Sequence, residues 1–203
     1  VDAVVDYISE RSENQLLNKG GLRESEDVFA SVWESVRNRW SWLAINMVTA
    51  FIASRVIGIF EGTIEQLVAL ATLMPIVAGI GGNSGNQTIT MIVRAFALGQ
   101  ITPWQAKQLL KKEIAVALVN GLIWGSLLGL VAYWLYDSYT LGLVMTAAMT
   151  LNLMLAATMG VVIPITMAKF GRDPALGSSV MITFCTDSGG FFIFLGLATL
   201  FLM

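Results

Sequence analysis

Long apolar runs separated by short polar links occupy most of the chain from Trp40 onward. The first, residues 40–60, matches the roughly 20 apolar residues needed to cross a ~30 Å hydrocarbon core. Trp40 and Trp42 stand at its start, where interfacial anchors belong. Further runs follow at residues 64–98, 114–135, 141–167 and 175–203. A soluble helical protein would need charged outer faces, which these runs lack. The pattern predicts an all-α integral membrane protein in which residues 36–203 form five transmembrane helices.

Residues 1–35 follow a different rule. Val1, Val4, Val5 and Ile8, then Leu16 and Leu17, make an apolar stripe broken by Asp2, Asp6, Glu10 and Glu13, the mark of a helix lying in water. Lys19-Gly20-Gly21 reads as a helix stop, and Ser25-Glu26-Asp27 as a new start before Val28-Phe29. Two readings stay open: a linker helix with a short amphipathic interfacial segment, or an acidic element at the cytoplasmic mouth of a pore. There is no basic, cleavable leader. The first residue is Val rather than Met, so a piece of a longer protein is expected.

Composition agrees with this division. Hydrophobic residues make up 56% and charged residues 13% of the 203 positions, against about a quarter charged in a soluble protein. The first 39 residues hold five basic side chains against eight acids; the rest of the chain has only seven and six. Arg37 and Arg39 precede the first run, Lys107, Lys111 and Lys112 precede the third, and Lys169 and Arg172 follow the fourth. The intervening links carry Glu61, Glu65 and Asp137 instead. Basic links stay cytoplasmic, which places the N-terminus inside and, after five crossings, the C-terminus outside. Arg55 lies near the outer end of the first run, either snorkelling to headgroups or in an ion pair.

Several functions are disfavoured. A net charge of −2 without a basic stripe argues against nucleic acid. The chain has no histidine, and Cys185 is its one cysteine, so imidazole ligation, a thiolate cluster and an intrachain disulfide are excluded. No nucleophile–base pair suggests an enzyme.

The polar residues inside the runs carry the chemistry, because lipid offers no hydrogen bonds and such groups must face protein or a wet cavity. Asp187 stands in the fifth run within Thr183-Phe184-Cys185-Thr186-Asp187-Ser188-Gly189-Gly190. It is either a cation site or a protonated hydrogen-bonding group. The spacing from Thr183 to Asp187 to Gly190 puts all three on one helix face. In the second run Asn83, Asn86, Gln87 and Thr90 recur at helical spacing, with Ser84 beside them. Gly79, Gly81 and Gly82 permit close helix approach, and Pro75 removes a backbone donor and bends the helix. The alternative is a small-residue packing face with amides bonded across it. Asn46, Thr49, Asn120, Thr146, Thr150, Asn152 and Thr158 are expected to tie helices together. Oxygen donors without imidazole or clustered thiolates suit hard ions such as Mg2+, Ca2+ or Mn2+. One carboxylate per chain is too few to cage a dehydrated Mg2+, so a hydrated ion shared by Asp187 from two subunits is the economical arrangement. That predicts a homodimer with its pore on the two-fold axis.

The sequence resembles the MgtE family of magnesium channels, which are related to eukaryotic solute carriers. The likeness rests on Pro75-Ile76-Val77-Ala78-Gly79-Ile80-Gly81-Gly82-Asn83-Ser84-Gly85-Asn86-Gln87-Thr88, on Asp173-Pro174-Ala175-Leu176, and on Thr183 with Asp187-Ser188-Gly189-Gly190. It implies homodimers with five helices per subunit in the bacterial inner membrane and a central pore passing Mg2+, with Mn2+, Co2+ and Ca2+ as further ions. Asp187 resembles the pore aspartate that holds hydrated Mg2+. Asn86 resembles a pore-lining residue, with Gly82, Asn83, Gln87, Thr183 and Gly190 as further lining. Cytoplasmic N and CBS regulatory domains are expected in the full-length protein and absent from this sequence. Residues 1–20 resemble the end of the plug helix that connects them to the pore. The alternative within transport is a carrier coupled to protons or Na+, although the five runs show no matching halves of the kind such folds often carry.

Overall fold

The computed structural model describes residues 29–101, 105–174 and 177–203. The plug helix, the stop at Lys19-Gly20-Gly21 and the start at Ser25 lie outside them. The first described helix, α1 (Val32–Ile59), is capped by Ser31, whose Oγ accepts the Glu34 N–H at 3.4 Å. It thus begins eight residues before the apolar run at Trp40. Only Asn38 and Ala53 of its 28 residues are buried, and it lies against the last helix. Arg55 is exposed and rests its guanidinium 5.5 Å from the Phe51 ring centre.

The run expected at 64–98 divides in two. A six-residue helix, α2 (Glu61–Gln66), ends where Leu67 takes φ −135° and ψ 84°. Then α3 (Ala69–Ala97) runs unbroken through Pro75, which stands in its second turn. Its buried stripe, from Leu70, Leu73 and Met74 to Ile89, Ile92 and Val93, follows the 3.6-residue period. A turn of glycine ends it: Gly99 at φ 64° gives its N–H to Phe96, and Gln100 reaches back to Ala95, the Schellman arrangement.

Two 31-residue helices follow as an antiparallel hairpin, α4 (Ala106–Tyr136) and α5 (Tyr139–Lys169). The inner face of α4 consists of Glu113, Ala117, Gly121, Gly125, Gly129 and Ala132, small residues after the first, at four-residue steps as far as Gly129. A β-carbon added at Gly125 would lie 2.9 Å from the Thr146 carbonyl oxygen, and one at Gly129 2.5 Å from that of Gly142. Close backbone approach of this kind is how helices associate in lipid without a hydrophobic drive. Asp137, in the left-handed region at φ 48°, ends α4, and Ser138 caps α5 by accepting the Leu141 N–H at 3.3 Å. Ser138→Ala should cost about 1 kcal/mol of stability, read as a lower thermal midpoint in detergent at unchanged elution volume.

Helix α5 is the centre of the bundle, packed on α3, α4 and α6 (Ser178–Leu202). Helices α1 and α3–α6 are each 25 residues or longer, about 38 Å or more at 1.5 Å per residue. Among the described residues α1, α4, α5 and α6 are both long and apolar enough to cross a membrane. The fifth long helix, α3, is the one that carries the amide-rich stripe. Thr63 and Thr199 share a 2.8 Å hydrogen bond, which ties α2 to the end of α6, and Thr72 and Tyr136 one of 2.7 Å, which ties the start of α3 to the end of α4. Two of the four apolar clusters in the bundle frame its middle. One joins Leu70, Val77, Met145, Phe194 and Leu195; the other joins Ile89, Val93, Ile163 and Ile182. Between them, along α3, α5 and α6, lie the glycines, Asn152 and Asp187.

Candidate functional site

In this middle layer α3 and α6 cross with little between them. Gly85 faces Ile182, and a β-carbon on Gly82 would stand 3.6 Å from Thr186 Oγ1. The order of these pairs makes the two helices antiparallel. Thr186 is fully buried and satisfies its hydroxyl on the Ile182 carbonyl at 2.9 Å and the Thr183 carbonyl at 3.2 Å. Its neighbour Asp187 is only partly buried. The carboxylate therefore rides on the helix that touches Gly82, at the level where the α3 stripe begins.

That stripe is open. Asn83, Gln87 and Thr90 are exposed, and Asn86 is partly buried with its Nδ2 donating to the Gly82 carbonyl at 3.0 Å. This commits one of the two amide N–H groups to the helix and leaves Oδ1 as the acceptor outside it. On α6 Thr183 is exposed, its hydroxyl donating to the Ser179 carbonyl at 2.9 Å. Amide, hydroxyl and carboxylate groups are thus carried on the two helices that meet at Gly82 and Thr186. Among the described residues no basic side chain pairs with Asp187, and no group of three or more His, Cys, Asp or Glu gathers anywhere.

Gly190 departs from the expected arrangement. Instead of sharing the open face with Thr183 and Asp187, it is buried against Asn152 of α5. A step of three residues along a helix falls ~60° short of a full turn, enough to carry Gly190 around to the α5 side.

Two polar residues acquire places that the sequence reading did not give them. The first is Glu113. It is 7% exposed, and its Oε2 accepts a hydrogen bond of 3.3 Å from Thr88 of α3, while Lys112 Nζ stands 3.9 Å from Oε1. The signal was available: Glu113 sits four residues before Ala117, on the same stripe as Gly121, Gly125 and Gly129. Asn152, expected only as a tie between helices, occupies the slot between Gly81 and Gly190.

A bundle of long apolar helices of this kind defines a multi-pass membrane protein, and one of its faces carries hard oxygen donors. The chain belongs to the MgtE family: the family profile, described as divalent cation transporter, matches residues 74–197 and so spans every residue of the face. The chain is 30% identical to the magnesium transporter MgtE of Thermus thermophilus, 25% to that of Bacillus subtilis and 26% to that of Enterococcus faecalis. Each alignment takes in 100% of this chain and 44–45% of the relative. The chain therefore spans less than half the length of these relatives, and what it matches is a family of transporters rather than of enzymes.

Proposed function

We propose that this chain is the membrane-embedded part of a magnesium transporter, crossing the bacterial inner membrane five times, N-terminus inside, and forming with a second copy a pore on the two-fold axis. The observation that carries the reading is the open polar stripe of α3 beside Asp187, set against a largely apolar outer face on α4. On α4 the exposed residues include Leu122, Ile123, Leu127, Leu130 and Trp134, suited to acyl chains. A carboxylate turned to lipid costs on the order of 3 kcal/mol or more, so the α3–α6 face needs a wet partner. A second copy of the same face encloses a water-filled path between the two and brings two Asp187 carboxylates together.

Mg2+ surrenders its water reluctantly. Two carboxylates acting on a hydrated ion supply the charge, while Asn83, Asn86, Gln87 and Thr183 accept or donate hydrogen bonds to the water shell, with Gly82 leaving room for it. Mn2+, Co2+ and Ca2+ are further ions this oxygen face can take. The remaining length of the relatives leaves room for cytoplasmic regulatory domains, consistent with CBS-type sensors joined through residues 1–35.

Two measurements test the proposal. The chain purified in mild detergent should have twice the mass of one chain, and a monomer that still binds Mg2+ would defeat the shared-site arrangement. Liposomes holding the chain should take up Mg2+ down its gradient at a rate unaffected by imposed proton or Na+ gradients. A rate that follows either gradient would move the reading to a coupled carrier.

A further inference from the structure

We infer that Asn152 of α5 is a positioning residue for the ion face, fixing the approach of α3 to α6 one helical turn or less from Gly82 and Asp187. The inference rests on the transport reading above and deepens it. Asn152 is fully buried, and its Nδ2 donates a 2.8 Å hydrogen bond to the Val77 carbonyl of α3. The amide enters a slot that exists because two residues lack side chains. A β-carbon on Gly81 would collide with the amide nitrogen, and one on Gly190 would lie 2.7 Å from it and 3.0 Å from Oδ1. Three helices thus meet on a single side chain. Gly81 directly precedes Gly82, and Gly190 follows Asp187 by three residues.

Packing alone does not call for an amide here. The apolar clusters on either side are built from Leu, Met, Ile and Phe. Among the described residues Oδ1 has no hydrogen-bond partner, although it is buried. A leucine would avoid stranding a polar atom in this place. What the amide adds is a directional bond to one carbonyl of α3 while its flat body spaces Gly81 from Gly190. Helix α3 is thereby held in register, both along and around its axis, with the helix that carries Asp187. An outer-shell group that orients a metal-binding side chain acts in this way.

The test uses the whole 203-residue chain, with Mg2+ as the probe. Asn152→Ala empties the slot and removes the bond to Val77. The expected result is a folded dimer whose half-saturating Mg2+ concentration for uptake rises about tenfold or more while maximal uptake is retained, with a matching loss of the Mg2+-induced rise in thermal midpoint. Adding Gly81→Ala to this variant puts a methyl where the amide was and should recover part of the affinity, although Gly81→Ala alone is damaging. Should Asn152→Ala not fold, Gly190→Ala takes its place, since its methyl displaces the amide without deleting it. Unchanged half-saturation in whichever variant folds overturns the inference, as does failure of both to fold, which would make Asn152 a folding residue only. Asp187→Asn, run in parallel, separates the two levels: if it leaves uptake intact the shared-Asp187 site falls and the ion path moves to the oxygens between Gly82 and Gln87, whereas if it abolishes uptake and Asn152→Ala changes nothing, only this inference falls.

Discussion

Asp187→Asn is expected to leave a folded dimer that has lost nearly all Mg2+ uptake. The substitution keeps the volume of the side chain and one of its oxygens. In the protein Asp187 is partly buried and, among the described residues, makes no ion pair that the change would break. Elution volume and thermal midpoint without Mg2+ should therefore stay close to those of the parent. The charge is another matter. Attraction between a divalent ion and a carboxylate grows as the surroundings become less polar than bulk water, and the two-fold axis would double the loss, because each mutation removes a charge from both subunits. Affinity should fall by at least about a hundredfold, the upper end of what losing an outer-shell partner costs. Asp187→Ala should be worse still, since it also deletes an oxygen that can hold the water shell. Liposome uptake and the Mg2+-induced shift in thermal midpoint are the measurements. A folded Asp187→Asn dimer with undiminished uptake would transfer the site to the oxygens between Gly82 and Gln87.

The residues that name this face were readable in the sequence for one physical reason: a polar group inside an apolar run has few places to go. Asp187, Asn83, Asn86 and Gln87 stand out against their neighbours before any coordinates, and α3 and α6 do bring their turns together at Gly82 and Thr186. Which way a helix faces its neighbours was less legible. Gly190 shares a turn with Asp187, but its burial against Asn152 depends on where α5 passes, and spacing within one helix says nothing of that. The same holds for Asn152, one of several asparagines and threonines that looked alike until two glycines from different helices closed on it. The glycine stripe of α4 is a different case, since its four-residue steps from Ala117 to Gly129 were in plain view. In lipid an absent side chain is as much a contact as a present one, and such a stripe marks a packing face without any polar residue to flag it. The break at Leu67 was not legible either, because no glycine or proline marks it and the apolar run Leu67-Val68-Ala69-Leu70 passes straight over it.

Gly85→Ala and Gly82→Ala should divide stability from transport, although the two glycines lie less than a turn apart on α3. Gly85 is buried, and a methyl there would run into the Ile182 side chain of α6, with the Ala156 methyl of α5 at 3.6 Å closing the other direction. Ile182 is itself fully buried beside Ile89, Val93 and Ile163, so it has no room to retreat. Overpacking of this sort costs about 1–3 kcal/mol, more than the up to ~1 kcal/mol that alanine gains over glycine inside a helix. The expected result is a clear drop in thermal midpoint, with Mg2+ half-saturation of the surviving folded dimers little changed, because the clash lies behind the face. At Gly82 the balance reverses. Its new methyl would meet Thr186 Oγ1 at 3.6 Å, an ordinary contact, so the helix-forming gain stands: stability should hold or rise by about a few tenths of a kcal/mol, and the midpoint with it. Yet the methyl enters the space beside Asp187 that a hydrated ion would need, and uptake should fall. Thermal midpoint and initial uptake rate, measured on both variants in the same lipid, give the answer. If Gly82→Ala transports as well as the parent, Gly82 packs α3 on α6 and does not border the path of the ion.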